Sequence, residues 1–220
     1  MPTISKENYL KSIYSLNLTN EENVTTSQVA QKLEITNAAT SEMARKLSEQ
    51  GYLTYEKYKG VELTDKGKKV ALQIIRRHRL WESFLMKVLG MSWSEVHDEA
   101  ERLEHNTSEA LINKIDEHLD FPEFDPHGHP IPNKNGEIPR VPKLVSLVNA
   151  EVGKKYKIFR VADDNKELIV YLTKLDLILY KEIKIVEKLS FDNSIIVQVN
   201  GSNHSLSEKV AEKVSVTFIK

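Results

Sequence analysis

A mainly α-helical chain with a small β domain at its end is the fold class that this sequence predicts, and three features predict it. Apolar residues recur at helical spacing through most of the first 120 positions. Residues 121–142 then hold six of the seven prolines together with Gly128 and Gly136, a composition that breaks regular structure and marks a linker. Beyond it, β-branched residues alternate or run in short bursts, as strands do. The expected architecture is a winged helix-turn-helix over residues 1–73, a helical domain over 74–142 and an SH3-like β-barrel over 143–220.

Each element has its own signal. Ile4, Tyr9, Leu10, Ile13, Tyr14 and Leu16 share a helical period, so residues 4–18 form the first helix, closed by the polar break Asn20–Asn23. Thr25-Thr26 offers an N-cap to a second helix ending at Leu33, with Val29, Ala30 and Leu33 on one face. After Ile35-Thr36-Asn37 a third helix runs over 38–50; Met43, Ala44 and Leu47 face inward and Gly51 ends it. Tyr52–Glu56 and Val61–Leu63, joined by Lys57-Tyr58-Lys59-Gly60, form a hairpin with a basic tip. Two short helices with a tight turn, followed by a hairpin, make the winged pattern. Thr64 caps a long helix over 65–89 whose stripe includes Trp81 and Phe84, read as core or dimer contact. Helical stretches at 94–106 and 107–119 follow. In the tail, strands are expected at 155–161, 182–189, 195–199 and 214–219, with a short helix at 164–175.

Composition limits the function classes. With 40% hydrophobic and 29% charged residues the chain reads as an ordinary globular protein, and no apolar run reaches the roughly 18 residues of a membrane helix. The first ten residues lack the apolar core of a signal peptide, and there is no cysteine, so disulfides and thiolate metal sites are excluded and a cytoplasmic location is expected. The net charge of −1 hides an asymmetry: +4 over residues 1–80, −8 over 81–140 and +3 over 141–220. A basic head suits a polyanion such as double-stranded DNA, and an acidic middle suits cations. Six of the seven histidines lie between His78 and His129, in or just before the acidic stretch, which a merely solvated surface does not explain.

In that middle, His78 and Glu82 are one helical turn apart, and His97, Glu101, Glu104 and His105 share another face beside the apolar Val96, Ala100 and Leu103. Imidazoles and carboxylates crowded against a core cost desolvation and repulsion unless a cation joins them. An oxygen and nitrogen donor set suits Mn2+ or Fe2+. The competing reading is a set of surface i,i+4 pairs. The loop Asp125-Pro126-His127-Gly128-His129-Pro130 adds further donors on a stiff backbone, or is simply a rigid polar linker. For DNA, the third helix offers Thr36, Asn37, Ala38, Ala39, Ser41, Glu42 and Arg45, small or polar residues that allow close approach to base edges. Thr26 and Ser27 can hold phosphates, and Lys57 and Lys59 on the wing can reach the backbone. A winged helix can also serve as a protein-interaction module.

Glu7-Asn8-Tyr9-Leu10, Arg77-His78-Arg79-Leu80, the run from Val96 to His105 and the run from Pro126 to Pro132 resemble the diphtheria toxin repressor family, also called the iron-dependent repressor or manganese transport regulator family. The resemblance spans essentially the whole chain and extends to a FeoA-like tail. It implies a homodimer that binds operator DNA when loaded with Fe2+ or Mn2+ and represses metal-uptake genes, with no membrane and no small organic substrate. Two metal sites per chain are implied. One would use Asn8, Glu101, Glu104 and His105; another would use His78, Glu82 and His97. Relatives with a different arrangement imply Glu82, Asp125, His127 and a tail acid, Asp163 or Asp164. The sequence departs from the pattern at three positions. Glu101 stands where the iron-sensing branch has cysteine, Asn8 where manganese sensors have aspartate, and Lys11 where two-domain manganese sensors have an acid. The expectation is metal-activated repression, in which the ion fixes two recognition helices roughly 34 Å apart. Its rivals are a winged-helix regulator indifferent to metal and a helical di-metal enzyme.

Overall fold

The computed structural model describes residues 3–18, 23–56 and 59–219. Lys57, and Asn20 of the polar break, lie outside the described residues.

The head is built from α1 (Ile4–Asn17), α2 (Thr26–Leu33), α3 (Asn37–Glu49) and a hairpin of β1 (Leu53–Glu56) and β2 (Gly60–Leu63). Local chemistry sets its boundaries. Thr25 and Gln28 form a reciprocal capping box at the start of α2, and Thr36 caps α3 by accepting from the Ala39 amide. Glu34, at φ 54°, turns the chain between them. The predicted inward faces close on one core that includes Tyr9, Leu10, Ile13, Val29, Ala44 and Leu47. Tyr9 donates its hydroxyl to the Thr40 carbonyl at 3.0 Å, locking α1 under the recognition helix.

The next helix, α4 (Asp65–Lys87), begins in the head core at Ala71 and continues into a second core of Leu80, Ile112, Ile115 and Ile131. The expected division at residue 73 therefore falls inside an unbroken helix. Its first turn presses on the hairpin: a Cβ on Gly67 would stand 1.9 Å from the Tyr52 carbonyl oxygen. The third helical stretch is shorter than expected. α5 spans Val96–Leu103, then Glu104–Asn106 tightens into a single 3₁₀ turn before α6 (Glu109–His118), which Ser108 caps. Among the described residues no helix is long and apolar enough to cross a membrane.

The tail holds β3 (Val145–Ser146), β4 (Lys155–Val161), α7 (Lys166–Lys174), β5 (Glu182–Lys188), β6 (Ile195–Val199), β7 (Ser202–Leu206), α8 (Glu208–Glu212) and β8 (Val214–Phe218). These strands form an antiparallel sheet in the order β3-β8-β4-β5-β6-β7, curved by irregularities near Ile158 and Ile185. The expected barrel is thus an open SH3-like sheet. One edge strand, β3, has two residues, too few to pair along β7 and close the ring. β3, β7 and α8 were not expected from sequence.

Candidate metal centre

Helical periodicity places Glu82 one turn after His78 on α4, and α5 brings His97 opposite them. Glu82 is fully buried. Its Oε1 lies 3.0 Å from His78 Nε2, 3.2 Å from His97 Nδ1 and 3.6 Å from His127 Nδ1. The linker supplies Asp125, His127 and His129, and the tail supplies Asp163, whose Oδ2 is 3.4 Å from His129 Nδ1 and 4.0 Å from His97 Nδ1. Three groupings, His78/Glu82/His97/Asp163, Glu82/Asp125/His127 and Asp125/His129/Asp163, keep their donor atoms within 4.8 Å of one another and share members, so they form one continuous centre. Asp164, the other tail acid considered, is exposed and pairs with Lys213 at 3.7 Å.

The loop is shaped to present its donors. Asp125 Oδ1 accepts from the amides of His127 and His129 at 2.8 and 2.9 Å, which leaves Oδ2 pointing elsewhere. Arg79 braces the turn: it donates to the Pro130 carbonyl, and its Nε lies 3.6 Å from Asp125 Oδ2. His127 Nε2 lies 3.2 Å from the Trp93 carbonyl oxygen, and the two rings stack with centroids 5.6 Å apart. Donation from Nε2 to that carbonyl leaves the lone pair on Nδ1, facing Glu82. Gly128, at φ 84°, lies so close to the tail that a Cβ there would stand 1.9 Å from the Phe159 carbonyl oxygen. Beside it the Val161 amide donates to the His127 carbonyl at 2.9 Å, and that bond seats β4 on the loop and delivers Asp163 two residues later.

Glu82 Oε2, Asp125 Oδ2, His127 Nδ1 and His129 Nδ1 are all buried with no hydrogen-bond partner. Unsatisfied buried acceptors are costly, and these converge from two separate segments, α4 and the linker loop, with the Asp163 carboxylate of the tail beside them, so the residues fit a divalent cation with oxygen and nitrogen ligands. Without one, protons offset the charge. Burial alone would lower the His127 pKa, yet the neighbouring carboxylates of Glu82, Asp125 and Asp163 raise it to about 9. His78, also buried, is raised to about 10, chiefly by Glu82. Burial works against ionisation of Glu82 as well, but His78 and the neighbouring imidazoles of His127 and His97 hold it well below the usual carboxylate range.

The second expected cluster is arranged differently. Glu101, Glu104 and His78 do converge, but the Lys11 ammonium lies among them, 2.5 Å from Glu101 Oε1 and 2.8 and 3.0 Å from the two oxygens of Glu104. His105 Nδ1 meets Glu7 Oε2 at 2.7 Å. The first helix therefore contributes Glu7 and Lys11 to this face. The Oδ1 of Asn8, the expected ligand, is buried with no hydrogen-bond partner. Sequence reasoning passed over Glu7 and Arg79; the i,i+4 spacing of Glu7 and Lys11 could have marked a shared face.

On the head, Asn37, Ala38, Ala39, Glu42 and Arg45 of α3 are exposed with Thr36 at its cap, while Ser41 is half-buried. Ser27 is exposed, Thr26 half-buried, and Lys59 stands at the wing in a 2.6 Å pair with Glu56.

A winged head joined to a buried cluster of imidazoles and carboxylates is the arrangement of a metal-dependent transcriptional regulator. The chain belongs to the iron-dependent repressor family and is a metal-dependent transcriptional repressor. Residues 1–61 match the iron dependent repressor N-terminal DNA binding domain, 64–133 its metal binding and dimerisation domain, and 145–217 the FeoA domain. It is 34% identical over 126 residues to the HTH-type transcriptional regulator MntR of Lysinibacillus sphaericus (strain C3-41), which covers 57% of this chain and 89% of that one. A manganese-dependent transcriptional repressor in complex with manganese superposes with a TM-score of 0.91 at 34% identity, over 97% of this chain and 100% of that chain. ScaR with bound Zn2+ gives 0.84 at 33% identity, over 99% and 100%.

Proposed function

We propose that this chain is a cytoplasmic homodimeric repressor of metal-uptake genes, switched on by Mn2+ or Fe2+. The controlling ion is held by Glu82, Asp125, His127 and Asp163, with His78, His97 and His129 at the same centre. The observation that supports this most directly is the set of partnerless buried acceptors from α4 and the linker loop, with Asp163 of the tail grouped beside them. The absence of cysteine and the manganese complex of the similar repressor support a hard or borderline ion. A bound ion supplies the positive charge that three carboxylates need, and so holds the tail and loop against α4.

The residues of α3 from Asn37 to Arg45 enter the major groove, and the α2 start and the wing hold phosphates. Trp81 and Phe84, half-buried and stacked edge to face at 5.8 Å beside exposed Met86 and Val88, suit the contact between two copies. Dimerisation sets the two recognition helices at successive major grooves, and metal and DNA affinities are then reciprocally linked.

Operator binding measured by fluorescence anisotropy with Mn2+, Fe2+, Zn2+ or chelator tests the reading. Mn2+ or Fe2+ should tighten binding, and Asp163→Asn or His127→Ala should remove that gain while leaving the chelator value unchanged. Affinity indifferent to chelator would refute metal control.

A further inference from the structure

Two clusters of acids and imidazoles adjoin each other in the middle of this molecule; both hold buried atoms without a hydrogen-bond partner, Glu82 Oε2, Asp125 Oδ2, His127 Nδ1 and His129 Nδ1 in one and Asn8 Oδ1 and His105 Nε2 in the other, but only in the first are carboxylate oxygens among them. In the other, Lys11 reaches in from α1. Its Nζ lies 2.5 Å from Glu101 Oε1, 2.8 and 3.0 Å from the oxygens of Glu104, and 3.5 Å from His78 Nδ1. Glu104 is fully buried, and the Lys11 side chain is 17% exposed. A divalent ion bound to the same carboxylates sits at roughly 2.0–2.5 Å from each oxygen. That space is the one the ammonium fills, and a second positive centre in contact with it would be repelled strongly at low dielectric.

Charge balance points the same way. Glu101 and Glu104 bring two negative charges. Lys11 offsets one, and His78 Nδ1 lies 2.7 Å from Glu104 Oε2. Glu7 and His105 pair off alongside at 2.7 Å. The neighbouring centre has three carboxylates, Glu82, Asp125 and Asp163, and the cation beside them, Arg79, stands 3.6 Å from Asp125 Oδ2 alone, at the rim of the centre.

We infer that Lys11 is a covalently tethered cation that takes the place of a metal ion at the Glu101/Glu104/His78 cluster. The chain then takes one controlling ion, not the two the resemblance implies. The tie between α1 and the α5 end is made with or without metal. This rests on the reading that the Glu82/Asp125/His127/Asp163 centre is the ion site, and the test separates the two.

Mn2+ bound per chain is counted on the full-length protein by calorimetry and by the loss of free-Mn2+ resonance signal. The wild type and Lys11→Arg should bind one ion, Glu104→Gln should still bind one, and His127→Ala should bind none. Lys11→Met, which keeps the apolar stem and removes the charge, should gain a second ion that the Lys11→Met/Glu104→Gln double variant loses. A wild type that binds two ions, one of them lost in Glu104→Gln, overturns the inference even if Lys11→Met fails to fold. So does a folded Lys11→Met variant that still binds one. A wild type that binds none, with Lys11→Met gaining a single Glu104-dependent ion, refutes the other centre and upholds the role of Lys11.

Discussion

His78 Nδ1 lies 2.7 Å from Glu104 Oε2, and through this contact one imidazole joins two charged clusters. Its other nitrogen lies 3.0 Å from Glu82 Oε1, so a bonded route runs from the proposed ion centre through Glu82, His78 and Glu104 to Lys11 on the first helix. The route connects the centre to the helix that Tyr9 fastens to the recognition helix.

Cutting that route should uncouple the two ends. His78→Gln keeps hydrogen-bonding capacity but cannot bridge both carboxylates as a cation. Mn2+ should still bind through Glu82, Asp125, His127 and Asp163, while the gain in operator affinity on adding Mn2+ falls by about tenfold, the scale of a typical coupling energy. Paired Mn2+ titrations and anisotropy measure this. An unchanged gain would exclude the His78 route.

The raised histidines give a pH signature. His127 moves from 6.5 to about 9 and His78 to about 10, both above their unfolded values. Their stabilising contribution is therefore fully present below about pH 6.5 and lost as pH rises through 9 to 10. The His127 shift alone is worth roughly 3 kcal/mol. The melting temperature of chelated protein should fall steadily between pH 6.5 and 10. Mn2+ must displace these protons, so its affinity should rise with pH over the same range, and proton release should appear as buffer-dependent heats in calorimetry.

Gly128→Ala should separate the tail from the loop. The residue lies at φ 84° against the Phe159 carbonyl, and strain of this kind costs on the order of 2 kcal/mol or more. Mn2+ affinity should weaken by about tenfold or more, with the head core and its DNA contacts intact. A normal Mn2+ titration would show that the tail does not help to hold the ion.

The DNA face divides by chemistry. Lys59 is exposed on the wing, so Lys59→Ala should weaken binding to every sequence alike and reduce the salt slope by about one. Thr36→Ala and Ser41→Ala should alter base preference instead. Titrations on operator and random duplexes across salt concentrations distinguish these, and a sequence-selective Lys59→Ala would overturn the wing assignment.

Much of the fold was legible because the head and middle helices carry clean apolar stripes and the proline-rich stretch separates them from the tail. β7 was missed because Ser202-Asn203-His204-Ser205 lacks apolar alternation, although Asn200-Gly201, both at positive φ, carried a hairpin signal just before it. That His78, Glu82 and His97 converge in the candidate centre was legible from spacing. Asp163 could not be singled out from Asp164 by pattern, because the choice depends on how β4 docks on the Gly128 loop. The roles of Glu7 and Lys11 were hidden for a related reason. One turn apart on a polar helix, they look like a solvent-exposed pair, and only packing of α1 against α4 and α5 turns them inward.

The unbroken course of α4 makes it a mechanical lever. From Glu82 back to Asp65 the helix extends about 25 Å at 1.5 Å per residue. A tilt of about 5° at the ion centre would move the far end, where the hairpin and recognition helix are mounted, by about 2 Å on an arm of that length. In a two-fold dimer the two arms swing in opposite senses, so the spacing between reading heads changes by up to about twice that. Closing a few ångströms of space among Glu82, His127 and Asp163 is thus magnified into a misfit, or a fit, measured against the pitch of DNA.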